Sequence, residues 1–483
     1  MLFNSLEFLF FFPLVAGLYF LLPQRARVPH LLAASCVFYM AFVPAYILIL
    51  GLTIVVDYAA GLWIARLQGR ARRRVLVVSI VLTCLVLASF KYLSFIVDNA
   101  LLAAGLLGWR LTGPSIDILL PVGLSFHTFQ SLAYVIEVYR GRQAPERNFL
   151  VYATYVMFFP QLVAGPIERP QNLLHQFRVH HVYDHARVTS GLRRMAWGFF
   201  KKLVVADRLA LYVNDVYADP QAHTGPQLAL ATVFFAFQIY CDFSGYCDIA
   251  VGSARVLGFR LMENFDRPYA SRSIAEFWTR WHISLSHWFR DYVYIPLGGN
   301  RQGPWRHARN LMLTFALSGL WHGAAWTYVS WGLLNGAYLV AGQLAARARA
   351  RWPRWPMPPR PPILAVGTTF TLTCLAWIPF RAESLADAWH IVTHLHTGWD
   401  VLLEPARLPA MLSTEQFLLR QLPVALAALV VLELAQAPRQ RQALRALRAR
   451  APLPARWGAY TAFVLGCVLL GVHRETQFIY FQF

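Results

Sequence analysis

Between Leu311 and Ala345 the chain runs for about 35 nearly uninterrupted apolar residues, and one histidine, His322, sits inside that run within Ser318-Gly319-Leu320-Trp321-His322-Gly323. A bilayer crossing needs about 20 such residues. The length therefore points to a helical hairpin at membrane depth. An ionisable side chain there costs several kcal/mol by most estimates and tends to be kept for function. A second dense segment, Phe277 to Tyr292, lies upstream and carries Trp281, His282, His287, Trp288 and Arg290, followed by Leu297-Gly298-Gly299-Asn300-Arg301. An aromatic, basic, histidine-bearing loop that leads to a membrane-embedded histidine has the character of a reaction centre at a bilayer.

Charged residues make up only 14% of the chain, against about 25% in soluble domains. The net charge of +20 comes almost wholly from arginine, since Lys91, Lys201 and Lys202 are the only lysines. The arginines crowd between apolar runs, as the positive-inside rule expects. No zinc-finger, RNP or basic-zipper spacing accompanies them, so no nucleic-acid partner is expected. The six cysteines form no C-x-x-C pair and are expected to be buried, unpaired thiols.

Charge orders the topology. Leu2–Leu22 lacks the basic start and small-residue cleavage site of a signal peptide and reads as a retained anchor. Val28–Ala65, interrupted at Pro44, reads as two short spans, which leaves Arg25 and Arg27 on the same side as Arg70 to Arg74. Val75–Val97 leaves the cytoplasm and Ile116–Tyr139 returns. Phe158–Pro166 is apolar, proline-broken and too short to cross, which suits a re-entrant or interfacial segment satisfied by protein. Gly198–Tyr217 crosses outward despite Asp207 and Arg208, and Gln227–Ile249 comes back. Residues 251–310 are then a cytoplasmic-side motif loop, and 311–345 the segment with the embedded histidine.

Ile363–Pro379 leads to an external loop, Phe380–Gln421, with five acidic and three basic residues. Leu422–Leu434 and Tyr460–Val472 cross last, with a Pro-rich linker (Pro353–Pro362) earlier on the cytoplasmic side. The expectation is an all-α polytopic membrane protein, one domain over 1–483, with about ten to twelve transmembrane helices plus re-entrant or interfacial helices. Counting from Leu311, a helix climbs about 18 Å by His322, close to the bilayer midplane at about 15 Å. Gly319 and Gly323 would let the chain turn there.

A neutral, buried imidazole suits a general base toward a hydroxyl, or a proton carrier to a leaving group. The plainer alternative is a histidine that only bonds a helix neighbour. His282 and His287 are five apart, unlike helical metal-ligand pairs, and H-E-x-x-H is missing, so no metal is expected. His390, His394 and His396 lack an acidic or cysteine partner and read as solvated or interfacial. No G-x-S-x-G, Walker A or G-x-G-x-x-G pattern appears. Arg290, Arg301, Arg306 and Arg309, with backbone donors of the Gly298-Gly299-Asn300 turn, could grip the phosphates of a cytoplasmic cofactor, or be ordinary positive-inside arginines.

Arg280-Trp281-His282-Ile283-Ser284-Leu285-Ser286, Trp288-Phe289-Arg290-Asp291-Tyr292, Ile295-Pro296-Leu297-Gly298-Gly299-Asn300 and Leu320-Trp321-His322-Gly323 together resemble the membrane-bound O-acyltransferase family. More narrowly they resemble the bacterial branch that modifies alginate and teichoic acids, with Phe159–Ile167 and the ending Phe478–Phe483 closer to the alginate type. The likeness spans nearly the whole chain. It implies a helical bundle with a central funnel, in which His322 matches the family's catalytic histidine and His282 its second characteristic histidine.

It also implies acetyl-CoA as acyl donor. Taken with the residues themselves, it puts Trp281, Arg290, Asn300 and Arg301 at the donor, and no metal is expected from the histidine spacing. The acetyl group would pass across the bacterial inner membrane to a polysaccharide acceptor or a periplasmic acetyltransferase partner, within a lipid setting. The competing expectations are a transporter or flippase using His322 as a proton relay, and a non-catalytic export scaffold. Transporters often show paired repeats, and none is visible in this chain.

Overall fold

The computed structural model describes residues 1–109, 111–113, 120–351, 361–403, 421–472 and 478–479. The start of the expected Ile116–Tyr139 span, most of the Pro-rich linker, the external loop beyond residue 403 and the ending after Ile479 lie outside the described residues. Within them every regular element is helical.

The amino-terminal part forms a layer of α1 (Leu6–Leu21), α2 (Gln24–Met40), α3 (Tyr46–Arg66), α4 (Gly69–Lys91) and α5 (Leu93–Leu106). Ser5 caps α1 by accepting the Phe8 N–H. The break between α2 and α3 covers residues 41–45, where Pro44 predicts it. Across α3 and α4 the buried Asp57 carboxylate accepts from Ser79 at 2.6 Å and Thr83 at 3.1 Å, so a polar group at membrane depth is answered by hydroxyls of its neighbour.

Next come α6 (Leu124–Tyr139) and α7 (Phe149–Met157). The proline-broken segment that follows is irregular and buried, and protein satisfies its backbone. The Phe159 N–H donates to Ser35 Oγ at 3.0 Å and the Ile167 N–H to Ser284 Oγ at 3.1 Å. This is the condition under which non-helical backbone is tolerated at such depth.

α8 (His185–Phe199), a π-helical turn at Phe200–Ala206 and α9 (Asp207–Ala218) follow each other without a gap, opposite α10 (Gly225–Leu257). The helix therefore starts well before the expected Gly198, at an Asp184 cap that accepts the Arg187 N–H. The reason is packing rather than apolarity. Gly191 and Gly198 face Gly252 and Gly245, and a Cβ on either of the first two would come within 2.7 Å of the opposing carbonyl. Small residues let membrane helices approach this closely. Lys202 is paired there with Asp242 at 2.6 Å and Asp207 at 2.9 Å, and Lys201 with Asp248 at 2.7 Å.

The remaining elements carry the motifs: α11 (Ile274–Arg280), α12 (Ile283–Phe289), α13 (Pro304–His322), α14 (Trp326–Arg351), α15 (Pro362–Arg381) and α16 (Leu385–His394). Then come α17 (Leu422–Gln436), α18 (Pro438–Arg450) and α19 (Leu453–Leu470). α13 and α14 form the expected hairpin, although α13 begins at Pro304 rather than Leu311. Gly319 is not its turn. It lies mid-contact, where a Cβ would strike the Tyr328 carbonyl, and residues 323–325 make the reversal.

Five described helices, α3, α4, α10, α15 and α19, are long and apolar enough to cross a membrane. α17 with the start of α18 is a further candidate, bent by 73°. The larger count expected from sequence includes α1, of 16 residues, and α13, whose first turns hold Arg306, His307 and Arg309. Such helices are shielded partly by neighbours, so their apolar length need not match a bilayer.

Candidate active site

α13 ends on His322, and its neighbours from three elements form an aromatic box. The imidazole lies edge-on to Trp321 (4.9 Å between ring centroids), Trp331 of α14 (5.0 Å) and Phe380 of α15 (5.3 Å). Only 3% of the residue is exposed, which keeps bulk water from the ring. Gly323 follows, and a Cβ there would run into the Tyr328 ring, so the sharp exit of the chain depends on a residue without a side chain.

His282 is brought to the same box from the motif loop. It sits between α11 and α12 in the left-handed region, at φ 42°, which is uncommon for a residue other than glycine. The neighbouring backbone holds that conformation: the Ile283 N–H donates to the Asn264 carbonyl at 3.0 Å and the Ser284 N–H to Asn264 Oδ1 at 3.1 Å. The ring packs on Phe243 (4.7 Å) and Phe126 (6.1 Å), with Trp321 on a third side (6.3 Å). Trp321 thus stands between the two histidines, touching both. Trp281 is buried beside them against Trp377 at 5.0 Å and Phe265 at 5.1 Å.

Trp288 adds rigidity beneath, stacked on Phe129 at 3.7 Å with its Nε1–H donating to the Phe129 carbonyl at 2.8 Å.

The other candidates lie elsewhere. Arg290, Asn300 and Arg301 are exposed, and Arg290 pairs with Asp291 at 2.8 Å. Asn310 braces their turn by donating to the carbonyls of Leu297 and Gly299. The cavity beside His322 and the crevice beside Ile283 are lined by other residues. The structure therefore brings together Trp281, His282 and His322 and leaves Arg290, Asn300 and Arg301 on the surface. His390 and His394 stack on each other at 3.9 Å, and no group of three His, Cys, Asp or Glu suited to a metal occurs among the described residues.

Sequence reasoning overlooked Lys91, the last residue of α4. Its ammonium donates to the carbonyls of Trp321 (2.6 Å) and His322 (3.2 Å), while Tyr92 Oη donates to the Leu320 carbonyl at 3.0 Å. The end of α13 is thereby capped by two consecutive side chains at the α4–α5 junction, which satisfies carbonyls that an α-helix terminus leaves open. Lys91 and Ser125 also line the small cavity that reaches His322. The signal was present in the sequence: a lysine at the edge of an apolar span is an intramembrane charge in need of a purpose.

A family model described as the membrane-bound O-acyltransferase family matches residues 145–370, which covers the motif loop and both histidines. Among curated relatives, the Pseudomonas aeruginosa protein named "Probable alginate O-acetylase AlgI" is 42% identical over 397 residues, covering 81% of this chain and 74% of its own. The peptidoglycan O-acetyltransferase of Helicobacter pylori is 34% identical over 425 residues, covering 81% and 79% respectively. The teichoic acid D-alanyltransferase of Bacillus subtilis is 27% identical over 276 residues, covering 54% and 69%. The resemblance drawn from the motifs is borne out, and so is its closer tie to the alginate type. With apolar helices enough for several crossings, the chain is a multi-pass membrane O-acyltransferase and belongs to the membrane-bound O-acyltransferase family.

Proposed function

We propose that the protein is an inner-membrane O-acetyltransferase that takes acetyl from cytoplasmic acetyl-CoA for the O-acetylation of an exported polysaccharide, directly or through a periplasmic acetyltransferase. The observation that carries this reading is the pair His322 and His282, both within reach of Trp321 in one aromatic box. The names of the most similar relatives, acetylases of alginate and peptidoglycan, support acetyl as the group moved.

In this mechanism His322 takes the proton from the acceptor hydroxyl as that oxygen attacks the thioester carbonyl. The new C–O bond forms, the C–S bond breaks, and the proton passes from His322 to the leaving thiolate. General acid–base catalysis of this kind contributes roughly 10²–10⁴-fold. His282 donates a hydrogen bond to the carbonyl oxygen or holds the thioester, and Trp281 shapes the channel. Lys91 keeps the end of α13, and with it His322, in place.

The test compares polymer yield and ester-linked acetyl in the native host for wild type and His322→Ala at matched membrane levels. Normal polymer without acetyl is the expected result. Unchanged acetyl would remove His322 from the chemistry, and loss of the polymer itself would favour export over acyl transfer.

A further inference from the structure

Beside the histidine box lies a crevice between α8, α10 and the loop of residues 258–267, at the end of the bundle that the arginine distribution puts in the cytoplasm. Five basic side chains line it against three acidic ones, which leaves an excess of positive charge. The charges are not evenly placed. Glu263 and Asp266 stand exposed at the rim, whereas Arg193, Arg255 and Arg267 are half-buried in the walls.

The other cations are committed. Arg194 pairs with Asp248 at 2.9 Å and with Glu263, and Lys201 pairs with Asp248. The wall arginines have weaker company. Arg193 donates to the Tyr460 hydroxyl at 3.2 Å and Arg255 to Ser190 Oγ at 3.2 Å, while Arg267 meets Glu433 only at 3.8 Å. Arg267 Nε is buried without a hydrogen-bond acceptor among the described residues. A buried donor in that condition is suited to bonding an anion.

Two further observations connect this crevice to the chemistry. Its floor includes Asn264 and Ile283, the two residues whose backbones hold His282 in its left-handed conformation. Moreover, Arg267 and His282 are the only non-glycine residues with positive φ among the described residues, at 46° and 42°. Their segments are tied together, since the Asp266 N–H donates to the Arg280 carbonyl at 3.0 Å. Strained backbone clusters where function needs a particular geometry. Here one strained residue lines the crevice and the other faces the aromatic box next to its floor. Ser190 and Arg255 also line a second cavity with Arg187 and Arg260, so the basic shelf continues outward.

We propose that this crevice, through Arg193, Arg255 and Arg267, is the seat for the phosphates of the acyl donor, with the thioester arm reaching past Asn264 toward His282. The inference rests on the reading of the donor as acetyl-CoA and adds where it binds. Arginine suits the task because its planar fork pairs with phosphate oxygens bidentately.

The experiment measures CoA and pantetheine binding to the full-length protein in phosphatidylcholine nanodiscs. Arg193→Gln, Arg255→Gln and Arg267→Gln are set against Arg290→Gln and Arg301→Gln. Each crevice variant is expected to reduce the affinity ratio of CoA over pantetheine about tenfold, as the loss of one charge-assisted contact implies, and the triple variant more. A general distortion would weaken both ligands and leave the ratio alone. The proposal is overturned if the ratio holds in the crevice variants while wild type binds CoA, or if Arg290→Gln and Arg301→Gln reduce it instead. CoA binding by wild type that fails when phosphatidylglycerol replaces part of the phosphatidylcholine, with the arginine variants indifferent to CoA, would give the seat to lipid headgroups. Wild type that binds no CoA would overturn the donor reading itself.

Discussion

Two buried lysine environments lie in one bundle and solve the same problem differently. Lys202, in the π-helical turn, is held between Asp207 and Asp242. Lys91, at the end of α4, donates to backbone carbonyls and a serine hydroxyl, and among the described residues no carboxylate bonds to it. The first arrangement neutralises charge and locks helices together. The second leaves a positive charge at the C-terminal end of α13, where the helix macrodipole favours a cation, beside the residue proposed to carry the proton. A charge paired with carboxylates stabilises a fold, whereas Lys91 is answered by carbonyls, a hydroxyl and the face of the Trp321 ring, 5.8 Å from its centroid.

The sharpest way to break this contrast is Lys202→Met. It leaves two carboxylates facing each other in the core, and removing one partner of a buried pair costs about 3–5 kcal/mol. Membrane-inserted protein and its unfolding temperature in detergent should both fall steeply, with loss of activity following the loss of protein. Lys91→Met should do the reverse. Acetyl transfer per folded molecule is expected to drop roughly 10–100-fold, corresponding to about 1.4–2.7 kcal/mol in the barrier, while the unfolding temperature falls by less than in Lys202→Met, since carbonyls rather than carboxylates lose their donor. Lys91→Arg should restore part of the rate. Equal losses of stability in the two methionine variants would collapse the distinction.

Smaller effects sharpen it. Gly198→Ala places a methyl group against the Gly245 carbonyl and should cost about 1–3 kcal/mol by overpacking, read as a lower unfolding temperature without a change in kcat for the surviving protein. Trp288→Phe keeps the stack on Phe129 and removes only the Nε1–H donor. About 1 kcal/mol of stability is expected to go with that bond, and a larger loss would mean that the indole also shapes the site.

Much of this arrangement is legible from residues alone. His322 on a hairpin, the break near Pro44 and the irregular Phe158–Pro166 segment all follow from apolar run length and proline position, which are local signals. His282 stands out by its aromatic and basic company. What escapes is anything set by a distant partner. Lys91 acquires its meaning from carbonyls 230 and 231 positions away. Gly319 looks like a hinge in sequence and is a contact surface in space, because the close approach of α14 cannot be read from α13. The start of the helix at His185 is hidden because the face it packs on α10 is marked by small residues, Gly191 and Gly198, rather than by a long apolar run. The crevice arginines are dispersed over three elements, so no sequence window holds them together, whereas Arg290 and Arg301 sit conspicuously next to the motifs.

Asp242 accepts from Lys202 with one carboxylate oxygen and from the Ile479 N–H with the other, at 2.8 Å, across 237 residues of chain. On the ribosome, α10 is made long before Ile479 exists. The core of the enzyme therefore passes through membrane insertion with a carboxylate oxygen still waiting for its donor. That carboxylate gains its second partner only after Ile479 is made, so a nascent protein stalled short of Ile479 would have α10 in place and this oxygen still open.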